Sequence, residues 1–98
     1  MKAKLRLNGV KKVYKVTLIK ELYANNEALA LEAVDSEGPF ATLSVNLPGS
    51  GSLPKNQCYF KTYSENEGFL EQLEAQKLVK RVGSIEQSIG APLVEVLF

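Results

Sequence analysis

Between Gln57 and Val79 the spacing of apolar residues changes period once, from two to between three and four, and no other stretch of the 98 residues sustains a helical period. Phe69, Leu70 and Leu73 form an i, i+1, i+4 cluster, whereas Glu71, Gln72, Glu74 and Gln76 cover the opposite side. This is the pattern of a helix with one buried stripe, about three turns long, predicted over about 65–76. Ser64 followed three residues later by Glu67 reads as a capping box, and Glu65 and Glu67 suit the positive end of the helix dipole. The helix is expected to end near Gln76 or Lys77, with Leu78 folding back after a left-handed turn that glycine fills better than lysine. So short a helix is marginal in water, and the rest of the chain must provide the surface that holds it.

That surface reads as β-structure. Lys2–Leu7 alternates basic and apolar residues up to Asn8-Gly9, the strongest short signal for a two-residue hairpin loop. In that register Leu7 faces Val10, Arg6 faces Lys11, Lys4 faces Val13 and Lys2 faces Lys15. One side then carries Lys2, Lys4, Arg6, Lys11 and Lys15 around Val13. The other carries Ala3, Leu5, Leu7, Val10, Tyr14, Val16 and Leu18, and is the core side. After a turn at Ala24-Asn25-Asn26, a third strand is predicted over about 28–34. Asp35-Ser36-Glu37-Gly38-Pro39 is a turn by composition. A fourth strand over 40–47 directs Ala41, Leu43, Val45 and Leu47 inward and Thr42, Ser44 and Asn46 outward. Residues 48–54 form a loop, and a strand containing Cys58 and Phe60 on one face leads into the helix. Residues 80–90 are weakly patterned, with a short strand near Val82 and a loop from Gly83 to Gly90. Ala91–Phe98 is strongly β-forming, with Val94, Val96 and Phe98 on one face and Leu93 and Leu97 on the other.

The expected architecture is therefore a single α+β domain spanning 1–98: a curved or partly rolled antiparallel sheet of five to seven strands with one α-helix packed on it. With 45% hydrophobic and 23% charged residues the composition is that of an ordinary globular domain. One cysteine and the lack of an apolar segment after the basic start point to a cytoplasmic protein, and no apolar run reaches the ~18 residues that span a bilayer. The C-terminal strand, apolar on both faces, is expected to be covered by the helix on one side and to support a homodimer on the other.

Charge is unevenly distributed. Residues 1–20 hold seven basic groups and no acid, while the remainder holds five basic groups and all 11 acids, a net of −6 within a chain of net +1. Lysines facing one another across strands destabilise the free fold unless an anion compensates them, so Lys2, Lys4, Arg6, Lys11 and Lys15 are the candidate anion-binding or partner-binding residues. The competing reading is that Glu21, Glu27 or Glu32 neutralises this face, or that the lysines keep an edge ribbon soluble. Tyr59, Lys61 and Tyr63, opposite Cys58 and Phe60, are a candidate interface or else a second core layer.

No catalytic residue, metal ligand or cofactor is assigned. The chain has no histidine, which excludes Cys-His and Ser-His-Asp arrangements and the usual zinc sites. Gly49-Ser50-Gly51 lacks both a third glycine and a following helix, so a phosphate loop is not supported.

From Phe40 onward the chain resembles a family of small uncharacterised proteins, a domain of unknown function, found largely in bacterial mobile elements and phages. The likeness rests on Ala41-Thr42-Leu43-Ser44-Val45-Asn46-Leu47-Pro48, on Phe60, Lys61 and Tyr63-Ser64-Glu65-Asn66-Glu67-Gly68, and on the leucine-rich helix to Leu78-Val79. It covers about half the chain, and Tyr63–Gly68 is its most specific part. Many members carry glycine where Lys77 stands. The resemblance transfers no activity; it implies a mobile-element context, in which small proteins that block host defence machinery are common cargo. The function expected is a non-catalytic binding protein, an inhibitor of a host defence complex through protein–protein contacts. The alternative is a nucleic-acid-binding module using the basic hairpin face.

Overall fold

The computed structural model describes residues 1–23, 28–46, 56–86 and 91–98. Its strands are β1 (Lys2–Leu5), β2 (Tyr14–Leu22), β3 (Leu29–Asp35), β4 (Gly38–Thr42), β5 (Ser44–Val45), β6 (Gln57–Phe60), β7 (Val79–Glu86) and β8 (Ala91–Val96). A 3₁₀ turn, Ser64–Asn66, precedes the helix α1 (Phe69–Ala75). Two antiparallel sheets form, in the orders β1-β2-β3-β4 and β5-β6-β8-β7. The class is α+β, as expected. Eight strands appear among the described residues because the predicted fourth strand is divided between the sheets.

The first hairpin turns at Asn8-Gly9, but not tightly. Of the two residues only Gly9 has positive φ, +79°, and the Val10 N–H bonds to the Leu7 carbonyl at 3.0 Å. A type I′ turn needs positive φ at both positions, and without it the arms diverge. The ladder begins only at Leu5 opposite Tyr14, pairing Lys4 with Lys15 and Lys2 with Thr17. The expected pairings of Arg6 with Lys11, Lys4 with Val13 and Lys2 with Lys15 do not form. Because the register moved by two residues, the paired side chains keep their predicted faces, but Val10, predicted on the core side, lies beyond the ladder in the diverging arms and is 38% exposed. Ala3, Leu5, Val16 and Leu18 are buried, while Lys2, Lys4 and Lys15 are exposed.

Leu43 is where the chain changes sheets. Its N–H bonds to the Leu31 carbonyl at 2.9 Å, and its own carbonyl accepts the Lys61 N–H at 2.7 Å. The fourth strand predicted over 40–47 is therefore split into β4 and β5. Ser44, predicted to face outward, is buried: its hydroxyl accepts the Leu31 N–H at 2.9 Å and shares a hydrogen bond of 2.7 Å with the Tyr23 hydroxyl. The β3–β4 turn is shorter than the predicted 35–39: only Ser36 and Glu37 turn, the Asp35 carboxylate accepts the Glu37 N–H at 2.8 Å, and Gly38, at φ +119°, already belongs to β4. β7 continues through Glu86, so 83–86 are strand where a loop was expected, and the rest of that expected loop, 87–90, lies outside the described residues. The turn at 24–26, Leu47 and the loop at 48–54 lie outside the described residues.

The capping box does not form. Ser64 sits at φ +57°, and the Glu67 N–H bonds to the Ser64 backbone carbonyl at 3.2 Å instead of to its hydroxyl. Gly68, at φ +87°, is the residue that starts α1, which has no side-chain cap. The cause is Asn66, fully buried, whose carboxamide nitrogen donates to the carbonyls of Thr42 at 2.7 Å and Lys61 at 3.1 Å. Drawing Asn66 inward bends the chain off the helical path, and the seven residues of α1 start again from Gly68.

The helix end follows the sequence closely. The Leu78 N–H bonds to the Leu73 carbonyl and the Lys77 N–H to the Glu74 carbonyl, both at 3.0 Å, with Lys77 at φ +61°. These are the paired bonds of a Schellman motif. A lysine in this conformation costs about 1–2 kcal/mol, of which a glycine returns part in unfolded-state entropy. Lys77→Gly is therefore expected to raise stability by up to about 1 kcal/mol. Urea unfolding with an increased midpoint and unchanged slope is the check; a lowered midpoint would contradict it.

α1 lies across the opening between the outer strands of the two sheets. Its buried stripe, Phe69, Leu70 and Leu73, joins one core with Leu5, Leu31, Leu43, Phe60, Val94 and Val96. On one side the Gln76 side chain bonds to Lys4 of β1 and Gln72 to Arg6, just past its end; on the other Arg81 of β7 contacts Glu71 at 2.6 Å and Glu74 at 3.1 Å. The Tyr14, Phe40 and Phe69 rings, with successive centroids 5.1 and 6.1 Å apart, tie β2, β4 and α1 together at one end.

Candidate partner-binding site

β1 is the outer strand of the first sheet, and its period of two places Lys2 and Lys4 on the face turned away from the core. Lys4 lies directly opposite Lys15. The backbone bonds between Met1 and Leu18 set the phase of the ladder, which makes Lys4–Lys15 a non-hydrogen-bonded pair, the arrangement in which side chains come closest. Lys2 is diagonal to Lys15. All three line one open groove of about 970 Å³, together with Thr17, Asp35 and Ser36.

Arg6 joins Lys4 in an adjoining groove of about 450 Å³ beside Gln72 and Gln76. Lys11 stands apart, in the connector between β1 and β2, so four of the five predicted cations form a continuous margin and the fifth does not. All five are exposed, and among the described residues none makes an ion pair; Glu21 and Glu32, proposed as neutralising partners, make none either. Glu27 lies outside the described residues. Asp35 is the one acid lining the larger groove, and it already accepts the Glu37 N–H.

Sequence reasoning missed Thr17, Asp35, Ser36 and Gln76 as neighbours of these lysines. The missing information was the true register, which brings Thr17 opposite Lys2 and Val34, and so draws the β3–β4 turn alongside.

The second candidate surface is less open. Tyr59 is half-buried on the outer face of the second sheet, opposite both Val45 and Leu93. Tyr63 is 44% exposed. The Lys61 ammonium lies 5.4 Å from the Tyr63 ring centre and 3.0 Å from Glu65. That carboxylate is held below its ordinary value by a backbone hydrogen bond and then by Lys61. Lys61 is thus compensated where Lys4 and Lys15 are not. β8 is paired on both edges, by β6 and β7, so a second copy cannot add to it as a strand. Leu93 is half-buried and Leu97 is 44% exposed.

Cys58 is buried with Phe60, and burial pushes its thiol up to about 12, leaving it a protonated core residue at neutral pH. Among the described residues no group of three or more His, Cys, Asp or Glu could hold a metal ion, and no helix is long and apolar enough to cross a membrane. No protein-family model, curated protein or solved structure matches the chain.

Proposed function

We propose that the chain is a non-catalytic binding protein that docks on an acidic surface of a partner protein through the basic margin of β1 and β2. The observation that carries this reading is the Lys4–Lys15 pair: two lysines opposite one another in the ladder with no acid in ion-pair contact among the described residues. Such a pair costs the free protein stability and gains from an arriving anion. Net charge favours a protein partner over nucleic acid. The chain has pI 7.8, and its residues 21–98 net −6 and repel a long polyanion that reaches past the basic N-terminal segment, while a local acidic patch meets only the lysines. Tyr14 packs against Phe40 beneath Lys12, so this face lacks an aromatic platform for unstacked bases. In the mobile-element context implied by the family resemblance, the partner is a component of a host defence complex and docking blocks it.

Lys15→Glu tests the reading without confusing binding with folding. It replaces a like-charged cross-strand pair by an attractive one, so the free protein should gain about 0.5 kcal/mol while partner capture weakens at least tenfold. Capture by immobilised wild-type and variant chains, with duplex DNA assayed in parallel, gives the answer. Equal capture by both chains would reject the reading. Binding to DNA with a steep salt dependence and no protein partner would replace it with the nucleic-acid alternative.

A further inference from the structure

The larger groove holds more than cations. Its lysines share their face with Thr17 and with Val34, the aliphatic side chain of the floor, while Ala3 and Val16 line it with their side chains turned to the core, and its far lip carries Asp35 and Ser36. A site for a bare anion needs only the ammonium groups. A polyphosphate lying along this groove would use the lysines but bring its charge against the Asp35 carboxylate. At about 970 Å³ the groove also has the size of a ligand site rather than of a single-ion contact. An extended peptide segment satisfies all three features in order: carboxylates at Lys4 and Lys15, an apolar side chain over Val34, and backbone N–H donors facing Asp35 and the Ser36 hydroxyl.

Resting on the docking reading above, we infer that this groove takes an extended acidic segment of the partner protein, anchored by one apolar side chain beside its acids. Docking proceeds by side chains rather than by strand addition along the whole of β1. At Lys4 and Arg6 the peptide groups of the outer edge are already bonded to Gln76 and Gln72. Charge sets where the segment lies, and the floor sets which segments stay. Burial of a leucine-sized anchor accounts for a preference of about tenfold or more over an equally charged segment without it.

The test uses the full chain and fluorescence anisotropy with two short acidic peptides that differ only in a central leucine or serine, with inorganic triphosphate as competitor. The leucine peptide should bind about tenfold more tightly. Val34→Ser should cut that preference to about twofold while leaving the serine peptide unchanged. Lys4→Gln should weaken both peptides alike. Asp35→Asn, which keeps an acceptor for the Glu37 N–H, should improve competition by triphosphate. Equal affinity for the two peptides, or a preference unmoved by Val34→Ser, would overturn the groove inference and leave the docking reading standing. Triphosphate outcompeting the leucine peptide on the wild-type chain would overturn it in favour of a phosphate ligand. Failure of both peptides overturns it too; whether the docking reading falls with it is decided separately, by whether Lys15→Glu abolishes partner capture.

Discussion

Replacing Asn66 by aspartate is expected to destabilise the fold by about 3–5 kcal/mol at neutral pH. Asn66 is 0% exposed, and its carboxamide nitrogen donates to Thr42 O at 2.7 Å and Lys61 O at 3.1 Å. Its carboxamide oxygen has no hydrogen-bond partner among the described residues. Aspartate puts an acceptor where the donor was, so both backbone carbonyls lose their partner and a buried charge faces them. Side-chain volume hardly changes, which removes the cavity contribution that complicates most core substitutions. Burial raises the new carboxyl group's pKa above its unfolded value near 3.9. Between those two values the folded state binds more protons than the unfolded state, so the variant should recover stability as the pH falls through the raised pKa and lose it again on neutralisation. A urea midpoint measured at pH 7 and pH 5 checks both magnitude and sign. A loss under about 1 kcal/mol with no pH dependence would mean that Asn66 does not clip the two sheets together.

The position of Asn66 explains the expected size of this effect. Thr42 is the last residue of β4, just before Leu43 passes the chain from one sheet to the other, and Lys61 follows β6. One side chain therefore holds the crossover and the exit of the neighbouring strand at the same point. None of this is visible in the sequence. Asn66 lies between Glu65 and Glu67 in a stretch that reads as the polar first turn of a helix, and no apolar period marks it as buried. The same blindness affected Ser64, whose place in a capping box followed from local spacing and was overridden by the contact of Asn66 with Thr42, 24 positions before it.

What the sequence did reveal was governed by parity and by local bonds. Faces in the first hairpin were legible because burial alternates with period two, and a register error of two leaves that alternation intact. Cross-strand partners were not legible, since they depend on whether Asn8 adopts positive φ, which composition does not decide. The helix end at Lys77 was legible because a Schellman motif is built within six residues. The crossing at Leu43 was not: an evenly alternating run from Phe40 onward carries no mark of a change of sheet. For the candidate site, cation identity came from charge counting, whereas the neighbours that give the groove an apolar floor and an acidic lip came only from the true register.

The second large effect concerns the join between α1 and β1, which sequence reading treated as the solvent side of a helix. Gln72 accepts from Arg6 N at 2.7 Å and donates to Arg6 O at 2.9 Å; Gln76 does the same with Lys4 at 3.0 and 2.7 Å. Four residues of helix advance about 6 Å and two residues of strand about 6.6 Å, so two carboxamides one turn apart match two alternate peptide groups on the outer edge of β1. The helix thus supplies what a further strand would, running antiparallel to β1. Removing both carboxamides by the double substitution Gln72→Ala and Gln76→Ala is expected to cost about 2 kcal/mol, because water replaces part of the four exposed bonds and alanine favours the helix slightly. The Lys4 and Arg6 amides should lose most of their protection from hydrogen exchange, while Ala3 and Leu5, paired with Val16 and Tyr14, keep theirs. The freed edge should also promote concentration-dependent association, slowed by repulsion among Lys2, Lys4 and Lys15. Sedimentation and residue-resolved exchange on the double variant measure both. Unchanged exchange at Lys4 and Arg6 would show that the glutamines do not close the edge, and would reopen strand addition to β1 as the way a partner is bound.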